Sequence, residues 1–223
     1  MSAAVKFKSK SGTAASGELA APDGTTKSPA VVLIHEYWGV NEHVKSVAAR
    51  LADAGFLALA PDLYHGKVAT NAAEAKKLVS ELDPESALDE IAGAVGFLAS
   101  HPQSNGKVAV MGFCLGGAYA FSAACIVPGI AAVVPFYGVP PSTDCARITA
   151  PIQAHFAKTD AWAKPELAEA IRKELEALGK IMELHVYDAD HAFFNDSRPE
   201  AYNAAAAKLA WDRTLEFLRK HLA

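Results

Sequence analysis

The sequence predicts an α/β fold: a mostly parallel central sheet with helices on both faces. Three observations lead there. Short unbroken runs of aliphatic and β-branched residues recur along the chain, helical patterns fall between them, and glycine or proline closes several of the segments. An unbroken apolar run of about four to eight residues suits a strand buried on both faces. Alternating such runs with helices builds a parallel sheet. Ligands of open sheets collect outside the carboxyl ends of the strands, so the residues just after each run are the ones to inspect for chemistry.

Taken in order, Ala30-Val31-Val32-Leu33-Ile34 reads as a buried strand, and residues 41–54 follow as a helix closed by Gly55, a usual residue just past a helix end. Residues 56–60 form the next strand, stopped by Pro61, and helices are expected over about 72–82 and 85–99. Strand 108–112, helix 115–124 and strand 131–136 come next. Strand 152–156, helix 165–178, strand 181–187 and a last helix over 199–220 complete the pattern. No repeat, low-complexity tract or linker divides the chain, so residues 1–223 are expected to form one domain.

Composition narrows the function classes. Hydrophobic residues make up 51% and charged residues 21%, enough apolar material for a large core and too little charge for a disordered chain. The formal charge of -4 and pI of about 6.1 come without any clustered Lys/Arg footprint, so no nucleic-acid partner is expected. No secretory signal or membrane-length apolar stretch is present, and three cysteines suit a reducing, cytoplasmic setting better than a disulfide framework.

Between a strand and a helix lies Gly112-Phe113-Cys114-Leu115-Gly116-Gly117. It fits the nucleophile elbow G-x-S-x-G with Cys in place of Ser, and so points to the α/β-hydrolase fold. The glycines let neighbouring backbones meet at a sharp turn, which holds Cys114 exposed at a helix N-terminus. The free N–H groups there favour a thiolate, and the N–H of Leu115 is placed for a developing oxyanion. A thiol nucleophile needs a base, and the base needs an orienting acid. His191 follows the strand 181–187, before the last helix. Of the seven other histidines, His35 and His65 also lie near the functional edge, but upstream of the nucleophile. Asp160, after strand 152–156, gives the order nucleophile, acid, histidine; Asp144, Asp188 and Asp190 are its rivals.

The elbow, His35-Glu36-Tyr37-Trp38-Gly39-Val40-Asn41, Pro61-Asp62-Leu63-Tyr64 and His191-Ala192-Phe193 together resemble the dienelactone hydrolase family (carboxymethylenebutenolidases) over nearly the whole chain. The resemblance implies a monomeric enzyme that opens a lactone or small ester with a cysteine-based triad, without metal or cofactor. It also implies that Glu36 contacts the resting thiol and takes its proton when substrate displaces it, and that the Tyr37 N–H joins that of Leu115 in the oxyanion hole. Tyr64, Phe113, Tyr137 and Phe193, with Trp38 and Trp162, could line an apolar pocket. The best-known members grip a substrate carboxylate with two arginines. This chain has none between Arg50 and Arg147, and Asn195 stands where the second is expected. Lys67, Lys76 or Lys77 are left to supply charge, without the planar fork of arginine. Ala157 also replaces a common glycine. Two other readings use the same thiol: a non-catalytic binding or redox-sensing protein, and an acyltransferase.

Overall fold

The apolar runs become the centre of one eight-stranded sheet in the computed structural model, which describes residues 2–24 and 27–223; Met1, Thr25 and Thr26 lie outside the described residues. The elements are β1 (Ser2–Lys8), β2 (Ala14–Ala20), β3 (Ser28–Ile34), α1 (Glu42–Asp53), β4 (Leu57–Pro61), α2 (Ala72–Glu81), α3 (Pro84–Ser100), β5 (Ser104–Phe113), α4 (Leu115–Ile126), β6 (Ile130–Phe136), β7 (Ile152–Ala157), α5 (Pro165–Ala177), β8 (Met182–Tyr187) and α6 (Ala204–Leu222). The strands lie in the order β1-β2-β4-β3-β5-β6-β7-β8, antiparallel from β1 to β4 and parallel from β4 to β8. This is the α/β-hydrolase architecture.

The unbroken runs are explained by a core on each face. Along β3, Val32 and Ile34 join a cluster with Ile91 of α3 and Phe121 of α4. Val31 and Leu33 point the other way, into a cluster with Leu51 of α1 and Phe217 of α6. Truncating Leu51 or Phe121 to alanine, both fully buried, costs about 2–5 kcal/mol. No helix among the described residues is long and apolar enough to cross a membrane.

Three differences from the sequence reading have simple causes. The hairpin β1–β2 was not foreseen, because it is buried largely on one face, by Phe7 on β1 and Ala15 and Gly17 on β2, with Ala20 alone turned to the other core. Strand β5 starts earlier than its apolar run, since Ser104 pairs with Ser28 across polar residues. Helix α6 begins at Ala204 rather than at Pro199, and Asn203 caps it by accepting from the Ala206 N–H.

Candidate active site

Strand β5 runs directly into α4 through Cys114, whose backbone sits at φ 54°, ψ −114°. Such a conformation costs a non-glycine residue about 1–3 kcal/mol and persists only when its surroundings enforce it. The Cys114 N–H donates to the Phe136 carbonyl (3.0 Å), and the Cys114 carbonyl accepts from Gly117 and Ala118 N–H (3.0 and 3.2 Å). The flanking glycines are obligatory. A Cβ on Gly112 would lie 2.1 Å from the Gly116 carbonyl oxygen, and one on Gly116 would lie 2.3 Å from that of Ile34.

The carboxyl ends of β7 and β8 bring the other two groups. The Thr159 N–H donates to the Ala189 carbonyl (3.3 Å), tying together the loops that carry Asp160 and His191. Asp160 is buried; its Oδ1 accepts from the N–H groups of Trp162 and Ala163, both at 2.8 Å. Its Oδ2 is 2.5 Å from His191 Nδ1, and His191 Nε2 is 3.2 Å from Cys114 Sγ. An ionised carboxylate only accepts, so the ring proton sits on Nδ1 and the Nε2 lone pair faces the thiol. Burial pushes the Asp160 carboxyl up, but the His191 ring and the two N–H groups outweigh it and hold the pKa below the ordinary value. The rival acids are engaged elsewhere: Asp188 pairs with Lys158 (3.7 Å) and Asp190 accepts from Thr159 Oγ1.

Burial, and then the charge of Glu36, push the Cys114 thiol well above its ordinary pKa. The N–H groups of Leu115 and Tyr37 both point at the sulfur and pull the other way, without prevailing. Burial and the Glu36 charge thus favour the neutral thiol over the thiolate. Glu36 corrects one expectation. Its carboxylate makes no hydrogen bond to Sγ among the described residues. Instead Oε1 accepts from Tyr137 Oη (3.2 Å) and Oε2 from Asn195 Nδ2 (2.6 Å), so Glu36 acts on the thiol through its charge.

A cavity of about 370 Å³ opens over Cys114, Leu115 and His191, walled by Tyr37, Lys76, Val79, Trp162 and Arg198. Trp162 is 56% exposed and stands perpendicular to the His191 ring, centroids 5.3 Å apart. Of the residues expected to line a pocket, Trp162 is on this wall and the others sit elsewhere. Tyr64 packs on His35 (4.8 Å) beside a separate cavity, and Trp38 stacks on Tyr37 without reaching the wall. Phe113 is the last residue of β5, so its ring enters the core and stacks on Phe194 (5.1 Å). Phe193 is turned inward by the positive φ of Ala192 (65°) and packs against Tyr187 and Tyr137. Tyr137 is fully buried between Glu36 and His191, and Asn195 is spent on Glu36.

Of the three candidate lysines only Lys76 reaches this wall; Lys67 and Lys77 pair with Glu81. The missed residue is Arg198, three positions after Asn195, where the loop has turned outward again. Its guanidinium lies 5.8 Å from the Trp38 ring centroid and is steadied by Glu200 (2.8 Å). Only the presence of an arginine soon after His191 could have flagged it.

A sequence model of the dienelactone hydrolase family matches residues 16–222. The chain belongs to the dienelactone hydrolase family. It is 35% identical over 221 residues to a Bradyrhizobium sp. protein named "Probable 2-oxo-3-(5-oxofuran-2-ylidene)propanoate lactonase", covering 92% of this chain and 88% of that one. It is 31% identical to carboxymethylenebutenolidase 1 of Cupriavidus pinatubonensis, covering 98% and 97%. Among solved structures, a dienelactone hydrolase-like promiscuous phosphotriesterase from metagenomic libraries superposes with a TM-score of 0.86 at 26% identity, covering 100% of this chain and 99% of the other. Membership of the dienelactone hydrolase family makes this chain a hydrolase.

Proposed function

We propose that the protein hydrolyses lactones or small esters through a Cys114–His191–Asp160 triad and a thioester acyl-enzyme. The observation that carries this reading is the unbroken line from Asp160 Oδ2 through the His191 ring to Cys114 Sγ, with steps of 2.5 and 3.2 Å. The substrate carbonyl oxygen lies toward the N–H groups of Leu115 and Tyr37. As Sγ attacks the carbonyl carbon, its proton passes to His191 Nε2, and the buried carboxylate of Asp160 stabilises the imidazolium. Each strong oxyanion donor is worth roughly 3–4 kcal/mol in the transition state. The C–O bond then breaks, and His191 returns the proton to the departing oxygen, which in a lactone stays tethered to the acyl group. Water, deprotonated by His191, attacks the thioester; the thiolate leaves and is reprotonated.

Glu36 holds the thiol neutral until a carbonyl is in place, since a buried negative charge disfavours a second one beside it. Burial and the Glu36 charge raise the Cys114 thiol pKa, whereas a peroxide-sensing cysteine needs a lowered one, which favours the enzyme over a redox role. Lys76 and Arg198 on the cavity wall favour substrates with an anionic group near the reacting carbonyl. Brief exposure to a lactone followed by intact-mass and peptide spectrometry is expected to show an acyl adduct on Cys114, and Cys114→Ala to abolish turnover. A Cys114→Ala protein with full hydrolytic activity overturns the proposal.

A further inference from the structure

A second cavity, of about 570 Å³, adjoins the first, and Leu115 and Trp162 form walls of both. It runs between the loop after β6 and the face of α5, where Val139, Pro140, Leu167 and Ile171 complete the apolar wall. Leu167 is 50% exposed and Trp162 56% exposed, so two large apolar side chains stand open to solvent along this groove. The polar side chains on this wall are Ser142, Thr143 and Glu174, and no cation is among its lining residues. The two compartments therefore differ in chemistry: Lys76 and Arg198 serve the first alone. A carboxylate entering the second would meet Glu174, whereas a hydrocarbon would displace water from Leu167, Trp162 and Ile171.

We infer that this groove is a subsite for an unbranched, uncharged apolar arm of an ester or lactone whose carbonyl is held at Cys114. The inference rests on the proposed reaction at Cys114 and deepens it. Leu115 is the pivot: its N–H faces the reacting centre while its side chain walls both compartments. Each further buried methylene of such an arm raises kcat/KM by about two- to fourfold until the groove is filled. Leu167 and Trp162 are then specificity-determining residues.

The test uses p-nitrophenyl acetate, butyrate and octanoate, with a parallel series of alkyl acetates to show on which side of the carbonyl the arm lies. Wild-type protein is expected to gain in kcat/KM with chain length in one series. Leu167→Asp is expected to lower the octanoate-to-acetate (or octyl-to-ethyl) ratio about tenfold, through lost apolar contact and a charge placed in the groove. Leu167 lies in the first turn of α5, where a carboxylate suits the helix N-terminus, so this variant keeps the fold; thermal unfolding checks it. Binding of uncharged, unhydrolysable 2-decanone to Cys114→Ala, with and without Leu167→Asp, is measured by titration calorimetry and is expected to weaken about tenfold in the double variant. Flat ratios in both series, or 2-decanone binding that ignores Leu167→Asp, overturn the subsite. Hydrolysis that survives Cys114→Ala overturns the triad instead, and the calorimetric arm still decides the groove.

Discussion

Asp160→Asn separates the orienting work of the carboxylate from its structural work. In the wild type Oδ1 accepts two N–H groups at 2.8 Å, and Oδ2 accepts the His191 Nδ1–H at 2.5 Å. Asparagine keeps an acceptor for Trp162 and Ala163 but turns an NH2 toward the ring. Hydrogen bonds to charged groups contribute roughly 1.5–3 kcal/mol against about 1 for neutral ones. All three bonds go from charge-assisted to neutral, and relief from burying a charge offsets part of the loss. The net is about 1–3 kcal/mol, or a fall in Tm of about 3–10 °C for a chain of this size. Activity suffers more. To meet the amide, the ring must expose a lone pair at Nδ1 and carry its proton on Nε2, so the base facing Sγ disappears. A wrong tautomer in such a triad costs about 10⁴ in kcat, near 5.4 kcal/mol of barrier. Steady-state hydrolysis and thermal unfolding followed together give both numbers. Activity within tenfold of wild type in a folded Asp160→Asn protein would refute the orienting role. The pH dependence carries a sign as well. The folded pKa of Asp160 lies below its ordinary value, so its contribution to stability is complete above about pH 4 and is lost as pH falls through the lower folded pKa. The stability gap between the two proteins should be constant near neutrality and narrow only in acid.

Gly116→Ala places a Cβ 2.3 Å from the Ile34 carbonyl oxygen and 2.7 Å from that of His35, both backbone atoms, and is expected to cost more than about 3 kcal/mol by urea unfolding. Gly96→Ala, inside α3 with nothing within 4 Å, should stabilise by up to about 1 kcal/mol in the same assay. Glu36→Gln removes the charge that opposes the thiolate, so the Cys114 pKa should fall, read as a shift to lower pH in the profile of alkylation by iodoacetamide; an unmoved profile contradicts the role assigned to Glu36. Arg198→Ala should lower kcat/KM about ten- to a hundredfold for a lactone bearing a free carboxylate, and far less for its methyl ester. Equal losses on the two substrates would remove Arg198 from recognition.

What the sequence disclosed and what it concealed follow from one property of the fold. Cys114, His191 and Asp160 were legible because each lies within four residues of the carboxyl end of a strand, and the β/α alternation alone places such residues at one edge of the sheet. The elbow was legible because its glycines answer a steric demand of 2.1–2.3 Å that no other residue meets. The pocket wall was hidden because a side chain's face hangs on single backbone angles. Phe113 and Cys114 are neighbours, yet one closes the core and the other opens on the cavity, and the difference is the φ of 54° at Cys114. The same holds after His191. Ala192 at φ 65° sends Phe193 and Asn195 inward, and Arg198 faces the cavity only once the loop has turned back. The hairpin β1–β2 escaped because burial largely on one face leaves no apolar run to detect. The proposed triad residues thus follow strands β5, β7 and β8, whereas the cavity walls come from α2, α4, α5 and the loops after β3, β6, β7 and β8. Lys76, Val79, Trp162, Leu167 and Arg198 on those walls belong to neither core cluster, so substitutions at these positions alter what the cavities present while the packing around Cys114 stays as it is.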